Sequence, residues 1–176
     1  KLAHLSLADR AREMAKPEIK AAIMSETDVL VDQPGSMANM YQLFQTAAMF
    51  LYPLADPVDY EPDPSEMLGS RAAATGQDVL DLLYDYLLEQ DGAAMCALMG
   101  GPNVHDSQEV LRQMLIHPET VTGLSDAGAH VTLICDATMP TTQLTFWARD
   151  RHKGERLPLE FLVAKQTARN ADLYGL

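Results

Sequence analysis

Apolar and acidic residues recur with helical spacing between residues 78 and 92. The apolar positions are Val79, Leu82, Leu83, Tyr86 and Leu87, and the acidic positions are Asp78, Asp81, Asp85 and Glu89. This spacing predicts an amphipathic helix that buries one face and exposes the acidic face to solvent. Gly92 is expected to end it.

Capping residues and prolines predict further helices. Ser6 with Asp9 marks a helix start, and Pro17 begins a second helix or kinks the first within residues 7–24. The proline-rich stretch 52–64 is expected to be an extended loop, with Ser65 capping the helix that follows. Asp106 with Glu109 predicts the capped start of a further helix, and later helices are predicted at 141–152 and at 158–170.

Short β-branched and apolar runs at residues 29–31, 93–99 and 120–124 suit strands. Helices and strands therefore alternate along the chain, an order that is typical of an α/β fold with a parallel sheet. The simplest such architecture is a partial TIM-like barrel, in which this chain supplies the later βα units.

Charge and cysteine content restrict the partners. The chain has 25 acidic and 13 basic residues, a formal net charge of −12, and no basic run, which argues against binding to nucleic acid or anionic lipid. Its two cysteines, Cys96 and Cys135, form no dense framework. No apolar segment is long enough to span a bilayer. We therefore expect a cytoplasmic protein that binds neither nucleic acid nor membrane.

The candidate chemistry centres on Asp126, within the sequence GLSDAGAH at 123–130. Small residues follow it and allow a ligand or another backbone to approach closely. If residues 120–124 form a buried strand, Asp126 lies at the carboxyl end of that strand, where catalytic side chains of α/β proteins collect. An ordinary turn or a helix N-cap explains the same pattern.

His130 is the histidine nearest to Asp126 in sequence, and we expect it to bind substrate or to hydrogen-bond Asp126, although a structural role is an equal alternative. His4 and His152 lie in charged surroundings and are expected at the surface. His117 precedes Pro118 and is expected near the last carbonyls of a helix. His105 lies in a glycine-rich loop that either lines the site or only turns the chain.

From about His117 to Leu176, the segments HPETVTGLSDAGAHV, ICDATMPT and LTFWARDRHKGERLPLEFLVAKQTARNADLYGL resemble the end of an amidohydrolase-superfamily enzyme. The similarity is to the D-aminoacylase branch, the N-acyl-D-amino-acid deacylases. It extends more weakly upstream through Tyr60 to Pro64 and the helix that ends near Asp91 and Gly92, and so covers most of the chain. The resemblance implies a zinc-dependent hydrolase of N-acyl amino acids. It also implies that Asp126 lies beside the metal, takes the proton of the attacking water and later returns one to the departing amine.

The same resemblance implies parts that this chain lacks. The family's early His-x-His pair and its other metal ligands are absent, so we expect the chain alone to bind no zinc and to be inactive. A complete barrel needs about 250 residues. We therefore interpret residues 1–176 as the C-terminal portion of a barrel domain, a fragment of a longer protein, that pairs with the missing portion or forms a homo-oligomer.

One departure from the family concerns the substrate. Residues 134–140 read ICDATMP, where relatives carry an arginine that can hold the substrate carboxylate. Arg149 and Arg151 are the nearest arginines, and the sequence predicts both within a helix as solvated charges. Specificity for D-amino acids is therefore not expected to follow the family pattern.

Two other functions are compatible with the sequence. One is a non-catalytic interaction or oligomerisation domain, which would cover the apolar sides of an incomplete barrel. The other is a small hydrolase with Ser125 or Cys135 as nucleophile, which the absence of a Gly-x-Ser-x-Gly elbow argues against.

Overall fold

The computed structural model describes residues 2–26, 32, 45–99, 107–129, 134 and 136–176. The chain divides into two compact units, Lys1–Gly100 and Gly101–Leu176. The helices are α1 (Leu7–Met14), α2 (Pro17–Met24), α3 (Leu68–Thr75), α4 (Val79–Gly92), α5 (Glu109–Ile116), α6 (Met139–Thr145), α7 (Leu159–Gln166) and α8 (Ala168–Tyr174). The strands are β1 (Leu51–Pro53) and β2 (Cys96–Leu98).

In the first unit, α1 packs against α4. The side chain of Ser6 accepts the main-chain N–H of Asp9 at 3.2 Å and caps α1, and Pro17 opens α2, as the sequence predicts. Tyr84 on α4 donates its hydroxyl to the carbonyl of Met14 at 2.8 Å. The acidic face of α4 is partly exposed, but Lys20 of α2 pairs with it at Asp81 and Asp85.

The start of α4 is fixed by Asp78, whose carboxylate accepts the N–H groups of Leu80 and Asp81. Its end departs from a regular helix, because Gln90 and Asp91 adopt left-handed backbone angles before Gly92. The helix predicted from the spacing of apolar and acidic residues is therefore confirmed, with an irregular last turn.

The strands of the described residues form one antiparallel pair, in which Tyr52 lies opposite Ala97. The buried strand predicted at 93–99 is thus confirmed as a strand over three residues, but its predicted burial is wrong, since Met95 and Leu98 are more than half exposed. The parallel pairing expected from the helix and strand order is wrong for this pair. The first two residues of the stretch 52–64, which the sequence predicts as an extended loop, belong to β1. The predicted strand at 29–31 lies outside the described residues.

Helix α3 follows a short 3-10 turn that the carboxylate of Asp63, rather than Ser65, caps through the N–H of Ser65 at 2.8 Å. Gly69 on α3 lies against the main chain of Met49, where an added Cβ would come within 2.5 Å of the Met49 oxygen. Ala48, Leu68, Ala72, Tyr86 and Ala94 are buried in this unit.

The second unit contains α5 to α8 and buries Phe146, Trp147, Leu157 and Leu162. The helix predicted at 141–152 begins earlier, at Met139, and ends as a π-helical turn over Phe146–Asp150. The helix predicted at 158–170 is interrupted at Thr167, whose backbone angles are not helical, so that α7 and α8 are separate.

Arg151 lies in the core of this unit and is 1% exposed, so its predicted place among solvated charges is wrong. Its guanidinium donates to the carboxylate of Glu109 at 3.0 Å and to the carbonyl of Glu155 at 2.7 Å. At Gly154, where φ is 138°, an added Cβ would lie 2.7 Å from an Arg151 nitrogen. These paired contacts explain how a charged group is buried here.

The fold is thus mixed and rich in helix, with a small sheet of two strands in the part of the chain that is described. Among those residues, no helix is both long and apolar enough to cross a membrane.

Candidate functional site around Asp126

The segment that leads to Asp126 is irregular from residue 120 to residue 126. Val121 is 47% exposed and Leu124 is 79% exposed. The prediction of a buried strand at 120–124 is therefore wrong. The physical reason is that this segment is hydrogen-bonded to α7 and α8, through the side chains of Lys165 and Asn170 and the main-chain carbonyl of Lys165, and not to a neighbouring strand.

Lys165 on α7 provides the first of these partners. Its ammonium donates to the carbonyl of His117 at 3.1 Å and to the hydroxyl of Thr120 at 2.8 Å, and it also binds the carbonyl of Thr120. Lys165 is 4% exposed, and no carboxylate of the described residues pairs with it. Burial lowers the pKa of this ammonium, and the charge of Arg169 lowers it further.

Thr122 provides a second attachment of the segment to the C-terminal helices. Its hydroxyl donates to the carbonyl of Lys165 at 3.2 Å, and its own carbonyl accepts from the side-chain amide of Asn170 at 3.1 Å. Residues 117–122 are therefore bonded to α7 and α8 through both main-chain and side-chain atoms.

Asp126 itself lies in a tight turn with a left-handed backbone, φ 54°. Its carbonyl accepts the N–H of Ala129 at 3.0 Å, and Gly128, also with positive φ, donates to the carbonyl of Ile134 at 2.8 Å. Aspartate tolerates this conformation better than most residues with a Cβ.

The side chain of Asp126 is exposed, and among the described residues nothing donates to its carboxylate or forms an ion pair with it. The carboxylate therefore does not cap any helix end in the described part of the chain. It is available to a ligand, to water, or to groups beyond those residues.

The histidines are dispersed. His130 and His105 lie outside the described residues, so the substrate-binding prediction for His130 stays a prediction. His117 is exposed, and its Nδ1 accepts the N–H of Glu119 at 3.2 Å, so its ring contacts the following turn rather than the helix carbonyls. His4 and His152 are exposed, as expected.

Within the described ranges, no three His, Cys, Asp or Glu side chains form a group that could hold a metal ion. Asp126 would contribute one carboxylate to such a site. Zinc normally takes three or four protein ligands, so these residues by themselves do not fit a zinc centre.

The arginines after the turn are engaged in other contacts. Arg149 binds the carboxylate of Asp150 through two nitrogens, at 2.5 and 2.9 Å, and this hydrogen bonding lowers the pKa of Asp150. Arg151 is committed to the core of its unit. Neither guanidinium is free to hold a substrate carboxylate without losing these contacts.

Sequence reasoning missed Lys165 and Asn170. One signal was present: Lys165 follows the buried Leu162 by three residues, which places both on one face of α7. A lysine on a buried face needs hydrogen-bond acceptors, and those acceptors identify the segment that it binds.

Comparison of the chain with protein-family models, with curated proteins and with solved structures finds no match.

Proposed function

We propose that this chain is part of a metal-dependent amidohydrolase that cleaves an amide-type C–N bond, such as that of an N-acyl amino acid, with Asp126 as general base and acid. The observation that carries the proposal is the exposed carboxylate of Asp126 on a left-handed turn, to which no group of the described residues is bound. A non-glycine residue held in that conformation is more common at functional sites than elsewhere. The resemblance of residues 117–176 to D-aminoacylases supplies the reaction class.

In the proposed reaction, Asp126 takes a proton from water as the oxygen attacks the acyl carbonyl carbon. A tetrahedral intermediate forms, the C–N bond breaks, and the acyl carbon becomes a carboxylic acid. Asp126 then returns its proton to the departing amine nitrogen. One residue can serve as base and then as acid because the proton that it receives is the proton that it gives back.

The proposal includes zinc, a cytoplasmic location and a fold in which the chain forms later βα units of a (β/α) barrel. A zinc site would need donors from beyond the described residues, since these offer Asp126 without companion ligands. The exposed carboxylate and the small residues beside it leave room for an N-acyl substrate to approach.

The test uses the complete protein that carries this sequence, assayed against N-acyl-D-amino and N-acyl-L-amino acids, with its zinc content measured. Asp126→Asn keeps the size of the side chain and removes the base, and kcat should fall about 10²- to 10⁴-fold. Asp172→Asn, which changes an exposed carboxylate on α8, should leave kcat unchanged. Wild-type kcat in Asp126→Asn, or no hydrolysis of any substrate by the zinc-loaded protein, would overturn the proposal.

A second candidate function, self-association, is favoured by a separate observation. Phe50, Met95 and Leu98 lie on or beside the strand pair of the first unit, and each is more than half exposed. Exposed large apolar side chains of this kind are common at protein interfaces. Sedimentation velocity should show a dimer that Leu98→Lys dissociates, and a monomer at all concentrations would exclude this candidate.

A further inference from the structure

Lys165 binds oxygen atoms of a single short stretch of chain. Its three acceptors are the carbonyl of His117 and the carbonyl and hydroxyl of Thr120, 45 to 48 residues away in sequence. An ammonium group has three hydrogen-bond donors, so these contacts use all of them. Burial of a lysine without a carboxylate partner is unfavourable unless such bonds compensate.

The bonded stretch has little apolar packing of its own. Val121 and Leu124 are both exposed, so hydrophobic burial cannot fix the course of the chain between α5 and the turn at Asp126. The polar contacts of Lys165, Thr122 and Asn170 therefore help to fix that course, together with the Thr120 hydroxyl, which donates to the carbonyls of Met114 and His117. The last of these contacts, at Thr122, lies four residues before Asp126.

We propose that Lys165 is a positioning residue that fixes residues 117–122 and thereby holds the Asp126 turn in the geometry that hydrolysis needs. This inference rests on the proposed function of Asp126. Lys165 does not contact substrate in this account; it acts through the main chain of Thr120 and the segment that follows. A small displacement of a reacting group is known to reduce catalytic rates strongly.

The first experiment measures amide hydrogen exchange and steady-state kinetics of Lys165→Met in the complete protein. Methionine keeps the length and apolar character of the side chain and removes the donors. Exchange at the N–H groups of Thr120, Gly128 and Ala129, each of which donates to a main-chain carbonyl, should rise about tenfold, while exchange in α6 is unchanged. The kcat per folded molecule should fall about tenfold or more with KM nearly unchanged. Arg169→Met, which removes a nearby exposed charge, should change neither.

The outcomes separate this inference from the proposed function. If Asp126→Asn is inactive but Lys165→Met matches the wild type in exchange and in kcat, the positioning role is overturned and the proposed function stands. If Asp126→Asn remains active, the proposed function fails, and with it the positioning role. A loss of kcat in Lys165→Met that equals its loss of folded protein also overturns the positioning role.

A second variant applies if Lys165→Met fails to fold. Thr120→Val preserves the shape of the side chain and removes one acceptor of Lys165. It should raise exchange at the same N–H groups and lower kcat severalfold with KM unchanged. If Thr120→Val folds and its amide exchange and kcat equal those of the wild type, the inference is overturned.

Discussion

The guanidinium carbon of Arg151 lies 4.9 Å from the centre of the Trp147 ring, over its face. The same guanidinium binds Glu109 on α5 and the carbonyl of Glu155, so one side chain joins α5, the π-helical turn and the loop before α7. Lysine could not reproduce this geometry, since it lacks the planar fork of donors. Arg151 is therefore a structural centre of the second unit.

Substitution of Arg151 by methionine should lower the free energy of unfolding by about 2–3 kcal/mol, because carbonyls that it now satisfies would be left buried. Urea denaturation monitored by Trp147 fluorescence measures this loss. Arg149→Met, on the same turn but exposed and paired with Asp150, should change stability by less than about 0.5 kcal/mol. Equal effects of the two substitutions would contradict the buried role of Arg151.

The left-handed backbone at Asp126 predicts the relative stabilities of three variants at this position, and the test needs no activity measurement. Because φ is 54°, Asp126→Ala should lower the free energy of unfolding by about 1 kcal/mol, whereas Asp126→Asn should stay within about 0.5 kcal/mol of the wild type. Asp126→Gly should be at least as stable as the wild type. Thermal or urea unfolding gives these values, and alanine and asparagine variants of equal stability would argue against a left-handed turn.

The contrast between Gly69 and Gly123 gives a paired test of packing. An added Cβ at Gly69 would lie 2.5 Å from the main-chain oxygen of Met49, whereas an added Cβ at Gly123 would have no atom of the described residues within 4 Å. Gly69→Ala should therefore destabilise the first unit by about 1–3 kcal/mol through overpacking. Gly123→Ala should change stability by less than about 0.5 kcal/mol. A neutral Gly69→Ala would show that α3 does not approach Met49 this closely.

Local patterns predicted the helices well, because caps and prolines act within a few residues. Ser6 and Pro17 each predicted a helix start that the structure contains. The strand at 120–124 failed for the opposite reason: strand propensity reports that a segment suits a sheet, not that a partner strand is adjacent. The actual partners, Lys165 and Asn170, lie more than 40 residues away.

The candidate site was only partly accessible to sequence reasoning. The small residues around Asp126 identify it as a candidate. Its left-handed backbone could not be predicted, because the position is not occupied by glycine, the residue that normally signals a positive φ. Lys165 was not selected, because a charged residue in a helix normally faces solvent. Arg151 was misplaced for the same reason. Lys165 is buried because acceptors 45 to 48 residues away bind it. Arg151 is buried with help from a carboxylate 42 residues away, that of Glu109, in addition to the nearby carbonyl of Glu155.

The ion pair between Glu109 and Arg151 predicts a pH dependence of stability. Hydrogen bonding from Arg151, aided by the charge of Arg112, holds the pKa of Glu109 below its ordinary value of 4.5. A carboxyl with a lowered pKa in the folded state contributes stability that is complete above pH 4.5 and is lost as the pH falls through the folded value.

The pair with Arg151 gives a direct test by urea unfolding across a range of pH. As the pH is lowered from about 6 to about 3, the free energy of unfolding of the wild type should fall more than that of Glu109→Gln. Glu160→Gln, which changes an exposed glutamate on α7, should retain the wild-type slope. Parallel slopes for the wild type and Glu109→Gln would mean that the pair with Arg151 does not persist in solution.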